Sequence, residues 1–128
     1  MIKQRNSKKQ GDVGVSSAIY YLTKNGYTVC LPLSDSQSYD LVVDINGILS
    51  KVQVKTTTHK RFGKYQVSLK TTGGNRSGTG KTKKLDAENL DFLFILTNEN
   101  VNYFIPISEL GGVSNISLCE RYSRFIVN

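Results

Sequence analysis

The chain has 128 residues, the length of one compact domain, and its 38% hydrophobic and 21% charged residues are ordinary for a globular protein. It carries 17 Lys and Arg against 10 Asp and Glu, a net charge of +7, which favours an acidic partner. No apolar run is long enough to span a bilayer, and the basic, polar residues 1–10 lack the apolar segment of a secretory signal, so we expect an intracellular protein with reduced cysteines.

A helix is predicted near the start of the chain. A capping box beginning at Ser7 opens it, apolar residues follow at helical spacing, and Asn25-Gly26 provides a left-handed stop. Gly11 and Gly14 are unfavourable within a helix, at about 1 kcal/mol each. Their presence indicates close approach of another backbone or of a ligand.

Strands follow the helix and predict a mixed α/β sheet. Asn46-Gly47 is a strong hairpin signal, and the almost continuous apolar run at 90–96 is typical of a buried central strand. A long Gly, Ser, Thr and Lys loop is predicted at 71–84 and a short helical turn at 108–110. With no internal repeat or linker, residues 1–128 are expected to form a single domain. The predicted strands are 27–33, 41–45, 48–55, 64–70, 90–96 and 102–107.

The basic residues are segregated from the acids. No acid lies between Asp44 and Asp86, and a second basic run opens the chain. Clustering of one sign builds a positive potential suited to a phosphate backbone, although a generic solvated basic surface is the alternative. The DNA-binding candidates are Lys8, Lys9, Lys60, Arg61, Arg76, Lys81, Lys83 and Lys84.

The glycine-rich stretch around Gly80-Lys81-Thr82 invites comparison with a nucleotide-binding P-loop. That pattern, G-x-x-x-x-G-K-[ST], requires glycine at position 75, where this chain has Asn75. A flexible basic loop lying along DNA phosphates fits better, because glycines let the backbone approach closely. We therefore predict no nucleotide cofactor.

The residues with the strongest chemical signal lie around the Asn46-Gly47 hairpin. Gln53 and Lys55 are two apart on a strand and share a face, and the twist of the hairpin brings Asp40 near them. Asp40, the Gln53 amide oxygen and the Val54 backbone carbonyl are oxygen ligands suited to Mg²⁺. A lysine beside such an ion can orient or deprotonate a water, or neutralise developing charge, as phosphodiester hydrolysis requires.

This constellation resembles the PD-(D/E)xK endonuclease superfamily, most of all the branch with a QVK motif, which includes intron-encoded homing endonucleases. The resemblance covers roughly residues 9 to 107. It implies a restriction-endonuclease-like α-β-β-β-α-β core, a mixed sheet with helices on both faces. It also implies that Asp40 is the metal-binding carboxylate, Gln53 replaces the usual Glu or Asp, and Lys55 is the active-site lysine. The matching segments are 9–14, 26–29 with Pro32, 38–44, 52–56 and the loop before 91–92.

One position departs from the resembled pattern. Members of this branch often carry Glu directly after the second glycine of the first helix, where this chain has Val15. Asp12, three residues earlier, lies on roughly the same helix side and is a candidate substitute. The replaced acid leaves a catalytically impaired DNA-binding protein as one alternative.

The resemblance implies Mg²⁺-dependent cleavage of double-stranded DNA, and homing-type, site-specific cutting is favoured. A junction resolvase is a further alternative. Because cutting both strands of a duplex requires two sites, we expect a homodimer or homotetramer.

Overall fold

The computed structural model describes residues 2, 6–72, 82–83 and 88–128, in which short and long strands outnumber helices. One α-helix, α1, spans Ser7–Lys24, and 3-10 helices span Ile107–Glu109 and Glu120–Phe125. No helix in these ranges is long and apolar enough to cross a membrane. The strands are β1 Thr28–Cys30, β2 Leu41–Ile45, β3 Ile48–Thr57, β4 Lys60–Arg61, β5 Lys64–Ser68, β6 Thr71–Thr72, β7 Thr82–Lys83, β8 Phe92–Thr97, β9 Asn102–Pro106, β10 Asn115–Ser117 and β11 Ile126–Val127.

The main sheet has six strands in the order β1-β2-β3-β8-β9-β11. Strands β3 and β8 pair in parallel, with Gln53 opposite Leu93, and the other neighbours are antiparallel. This mixed sheet with a packed helix confirms the predicted restriction-endonuclease-like α/β class. Among the described residues a single α-helix flanks the sheet, and its other face carries the small sheet β10-β5-β4 instead of a second helix.

Helix α1 packs on one face of the main sheet through Gly14, Ala18 and Leu22. A Cβ added at Gly14 would overlap Thr56 Oγ1 and lie 3.1 Å from Val54 Cγ1, which confirms the predicted close approach at this glycine. A Cβ at Gly11 would meet nothing within 4 Å. Gly14 therefore sets the distance between the helix and β3.

The start of α1 differs from the prediction, whereas its end agrees with it. The N-cap is Asn6, whose side-chain oxygen accepts from the amides of Lys8 and Lys9, so the capping box predicted at Ser7 is wrong by one residue. Asn is as good a cap as Ser, and its carbonyl reaches two amides at once. At the other end, Gly26 has φ +87° and terminates the helix as predicted.

The opposite face of the main sheet is covered over β8, β9 and the end of β3, where Thr57 Oγ1 donates to the Gln66 carbonyl. Alternating residues of β5 and β10, among them Val67 and Ile116, pack there against Leu93, Ile95 and Ile105. On the same face Cys30 and Lys51, from β1 and β3, are exposed. The sheet thus has a closed half and an open half, with β3 at the boundary.

Some predicted strand boundaries were wrong. β1 ends at Cys30, since the next residues lead into Pro32, which has no amide hydrogen to donate to a ladder. β3 continues to Thr57, two residues beyond the prediction, because it gains β8 as a second partner through Thr57–Thr97.

Candidate active site

The candidate site lies where the chain enters β2, beside the middle of β3. Leu41 pairs with Val52, and both are buried against α1. The amide of Asp40 donates to the carbonyl oxygen of Val52 at 2.9 Å, which holds Asp40 against β3. Because successive side chains alternate, Asp40, Gln53 and Lys55 share the face opposite the helix. The structure therefore brings the three predicted residues together.

The carboxylate of Asp40 is anchored and poorly solvated. Its Oδ2 accepts from the backbone amide of Val54 at 2.7 Å. Desolvation raises the pKa of Asp40 above its ordinary value, although the Val54 hydrogen bond and the charge of Lys55 oppose that rise. A carboxylate that protein surroundings make costly to ionise gains from any cation placed beside it.

Lys55 lies between Asp40 and the end of β5. Its Nζ donates to the carbonyl oxygen of Lys70 at 3.4 Å. Desolvation lowers the pKa of Lys55, and the attraction of Asp40 opposes that shift. The ammonium is therefore held in a partly desolvated position close to the carboxylate, where its charge acts more strongly than on an open surface.

Gln53 supplies an unusual acceptor. The residue is 7% exposed. Its Oε1 is the one buried side-chain nitrogen or oxygen atom in the described part of the chain that has no hydrogen-bond partner. Leaving a buried acceptor unsatisfied costs about 1–3 kcal/mol, so such atoms call for a physical reason. An oxygen facing the Asp40 side of the sheet and lacking a donor suits a hard cation.

The donor set is weakly charged. Within residues 2, 6–72, 82–83 and 88–128 no three His, Cys, Asp or Glu side chains cluster as a metal site. Asp40 offers one carboxylate and Gln53 one neutral amide. These oxygens fit Mg²⁺ better than softer metals, which prefer nitrogen or sulfur.

The two helix positions lie on α1, which packs against β3 beside Val54 and Thr56. Asp12 is exposed and Val15 is half-buried, while α1 reaches β3 through Gly14 on the Val54 and Thr56 side. Among the described residues no hydrogen bond or ion pair joins Asp12 to Asp40 or Lys55. Asp12 as a substitute for the missing helix acid therefore stays a prediction.

A depression of about 440 Å³ adjoins Asp40 and was not predicted from the sequence. Tyr39 is one of the residues that line the depression, and the Lys51 ammonium lies 5.6 Å from the centre of its ring. Pro32 and the polar segment after it are the signals that could have indicated a shaped loop here. The depression is lined by Leu31, Pro32, Leu33, Ser34, Asp35, Gln37, Tyr39 and Asp40.

The predicted DNA-binding residues fall into three groups. Lys8 and Lys9 are exposed in the first turn of α1. Lys60 pairs with Glu99, and Arg61 lies over the Phe62 ring, 5.4 Å from its centre. Lys83 belongs to β7, whereas Arg76, Lys81 and Lys84 lie outside the described residues.

Comparisons with known proteins agree with this geometry. A family model described as PD-(D/E)XK endonuclease matches residues 5–124. Protein 5.3 of Escherichia phage T7 is 35% identical over 102 residues, covering 80% of this chain and 81% of that protein. The bacterial homing endonuclease I-Ssp6803I superposes with a TM-score of 0.76 at 33% identity, covering 93% of this chain and 82% of the other.

A more distant structure shares the fold alone. Hjc, a Holliday junction resolvase from the hyperthermophilic archaeon Archaeoglobus fulgidus, superposes with a TM-score of 0.58 at 12% identity. The alignment covers 93% of this chain and 91% of that one. A likeness at this level of identity supports a shared fold and gives no information about the substrate.

Proposed function

The chain belongs to the PD-(D/E)XK endonuclease family, and from that premise we propose that it is a Mg²⁺-dependent endonuclease that cleaves double-stranded DNA. The observation that carries the proposal is the convergence of Asp40, Gln53 and Lys55 around the unpartnered Gln53 Oε1. A structural role for these groups would have given that oxygen a donor.

The ligands we assign to Mg²⁺ are Asp40, Gln53 Oε1 and the backbone carbonyl of Val54. The predicted pattern supports this assignment, and so do two features of the structure, the desolvated carboxylate and the orphaned amide oxygen. When bound, the ion would polarise the scissile phosphate and lower the pKa of a bound water.

The chain's own residues position the reactants. Hydrolysis joins a water oxygen to phosphorus and breaks the bond from phosphorus to O3′, which leaves 5′-phosphate and 3′-hydroxyl ends. Lys55, with its ammonium near Asp40, is placed to orient the water and to neutralise charge on the phosphate. The Val54 amide fixes the Asp40 carboxylate and so fixes the position of the ligand.

We further propose that cleavage is site-specific and of the homing type, in a homodimer or homotetramer within the cell. The likeness to a homing endonuclease at 33% identity over 93% of this chain supports the specificity. The need for two sites to cut a duplex supports the assembly.

Nicking of supercoiled plasmid in Mg²⁺ tests the proposal. We expect the wild type to nick or linearise the plasmid and Asp40→Asn and Lys55→Ala to lose this activity. Asp40→Asn is the sharper variant, because its amide oxygen can still accept from the Val54 amide. Circular dichroism of each variant establishes that the fold is kept. Equal cutting by wild type and both variants would refute the assigned site.

The absent helix acid supports a second candidate, a DNA-binding protein that has lost turnover. Val15 stands where the resembled branch often has Glu, and Asp12, the candidate substitute, is exposed. Under this alternative the wild type binds DNA without cutting it, and Val15→Glu restores cutting. A four-way junction compared with a linear duplex distinguishes a resolvase, which would cut the junction by preference.

A further inference from the structure

Within the described residues, two tight hairpin turns share positive φ at both central positions but differ in chemistry. In the β2–β3 hairpin Asn46 and Gly47 have φ +53° and +89°, and in the β4–β5 hairpin Phe62 and Gly63 have φ +53° and +75°. Positive φ at both central residues defines a type I′ turn, which strongly favours Asn-Gly. Asn46 meets that preference and Phe62 does not.

Phe62 is unfavourable at its position for two reasons. A bulky non-glycine residue with positive φ is a conformational outlier, because its Cβ crowds the neighbouring carbonyl. Its side chain is also 90% exposed, so it gains almost no burial in return. A strained and solvent-exposed aromatic residue indicates a use that the isolated fold does not reveal.

The stem of this hairpin is braced while its tip is open. Glu99, in the turn between β8 and β9, accepts from Lys60 and from the Tyr65 hydroxyl, the latter at 3.1 Å. The Lys60 ammonium also lies 4.8 Å from the centre of the Tyr65 ring. These contacts hold the first pairs of the hairpin to the main sheet and present Phe62 at a defined place.

The surroundings of Phe62 are basic. Arg61 and Lys64, which flank the turn, are exposed, while Glu99 pairs with Lys60 on the stem below them. Lys70, whose carbonyl accepts from Lys55, is on the same extended segment, so the tip lies within roughly 25 Å of that carbonyl. About seven base pairs of duplex span that distance, at 3.4 Å each.

We propose that the Phe62 hairpin, residues 60–68, is a DNA-distorting wedge. Phe62 inserts at a base step in a groove while Arg61 and Lys64 contact the adjoining phosphates. Apolar wedges on a basic frame are used to unstack and kink duplex DNA. The inference rests on the proposed action on double-stranded DNA and adds a contact remote from the cleavage site.

The test compares Phe62→Asn with the wild type on a short mixed-sequence duplex in EDTA, by fluorescence anisotropy. Asn favours this turn, so the substitution should leave the melting temperature unchanged or raised while it weakens binding about tenfold, the size of one lost aromatic–base stack. We expect 2-aminopurine in the duplex to brighten with the wild type and not with Phe62→Asn. Phe62→Tyr, which keeps a ring, should behave like the wild type.

Asn46→Phe is the matched control, because it places the same ring at the same φ on the other hairpin. It should lower the melting temperature and leave DNA affinity unchanged. Arg61→Gln should lower the salt dependence of binding by about one unit of slope, whereas Phe62→Asn should not change it.

Three results would overturn the wedge. The first is equal DNA affinity of Phe62→Asn and the wild type, and the second is a lowered melting temperature of Phe62→Asn. The third is loss of a protomer–protomer assembly in Phe62→Asn with unchanged DNA affinity, which would assign Phe62 to a contact with a second copy of the chain.

Plasmid nicking separates this proposal from the proposed function. A wild type that binds and unstacks DNA without cutting it would support the wedge and refute the proposed nuclease activity. A wild type that cuts DNA, with a Phe62→Asn variant of equal DNA affinity, would support the nuclease activity and refute the wedge.

Discussion

Substituting Ala for Gly14 tests how the packing of α1 sets the candidate site. The added Cβ would overlap Thr56 Oγ1 and crowd Val54 Cγ1 at 3.1 Å. Thr56 Oγ1 branches directly from its Cβ and donates to the Gln10 carbonyl at 3.1 Å, so it cannot move aside without loss. The helix or β3 must therefore shift.

The magnitude follows from three contributions. Overpacking costs about 1–3 kcal/mol, and losing the Thr56 hydrogen bond costs about 1 kcal/mol. Replacing Gly by Ala in a helix returns about 1 kcal/mol. The net loss for Gly14→Ala is about 1–3 kcal/mol, which corresponds to a fall in melting temperature of about 4–11 °C for a chain of this length.

Gly11→Ala is the matched control. It makes the same chemical change three residues earlier, where a Cβ meets nothing within 4 Å, so it should stabilise the protein by up to about 1 kcal/mol. Thermal or urea denaturation of both variants measures the contrast. Adding Thr56→Ala to Gly14→Ala should restore part of the loss, with a coupling energy of about 1 kcal/mol or more.

The functional readout is plasmid nicking. Gln53 and Lys55 flank Val54, so a displaced β3 should lower the nicking rate of Gly14→Ala and leave that of Gly11→Ala unchanged. Equal stability of the two variants would refute the packing argument. A destabilised Gly14→Ala that cuts at the wild-type rate would refute its link to the site.

Further predictions concern the metal, the pH and the missing acid. Mg²⁺ should raise the melting temperature of the wild type and not of Asp40→Asn, as scanning fluorimetry would show, because the Asp40 carboxylate is the one charged ligand among those assigned. The nicking rate should rise with pH as Asp40 ionises, through a pKa above its ordinary value, and fall on the alkaline side as Lys55 loses its proton, through a pKa below its ordinary value. Lys55→Arg should lack that alkaline fall, since a guanidinium keeps its charge; an unchanged profile would assign the fall elsewhere. Val15→Glu should lower the Mg²⁺ concentration needed for half-maximal nicking, and a higher requirement would contradict a role for an acid there.

Much of the site could be predicted because it depends on local rules. Two-residue periodicity puts Gln53 and Lys55 on one face, and the Asn46-Gly47 turn determines which residues of β2 and β3 are paired. Asp40 follows from that register, being one step before the Leu41–Val52 pair. The helix end at Gly26 is local in the same way.

Other features depend on which surfaces are buried together, and no short window of sequence contains that information. The parallel pairing of β3 with β8 joins residues about 40 positions apart, and it decided how long β3 is. The C-terminal segment, unassigned from its pattern, forms β10, a 3-10 helix and β11 because it packs over the closed half of the sheet.

The sequence by itself therefore determined the residue types of the site, their common strand face and the basic character of the surface. Only the tertiary structure decided their energetics: that Gln53 Oε1 is buried without a donor, that Asp40 and Lys55 are desolvated together, and that Phe62 stands exposed at positive φ. The physical reason is that periodicity and turn preference act over a few residues, whereas burial and desolvation arise when distant segments exclude water between them.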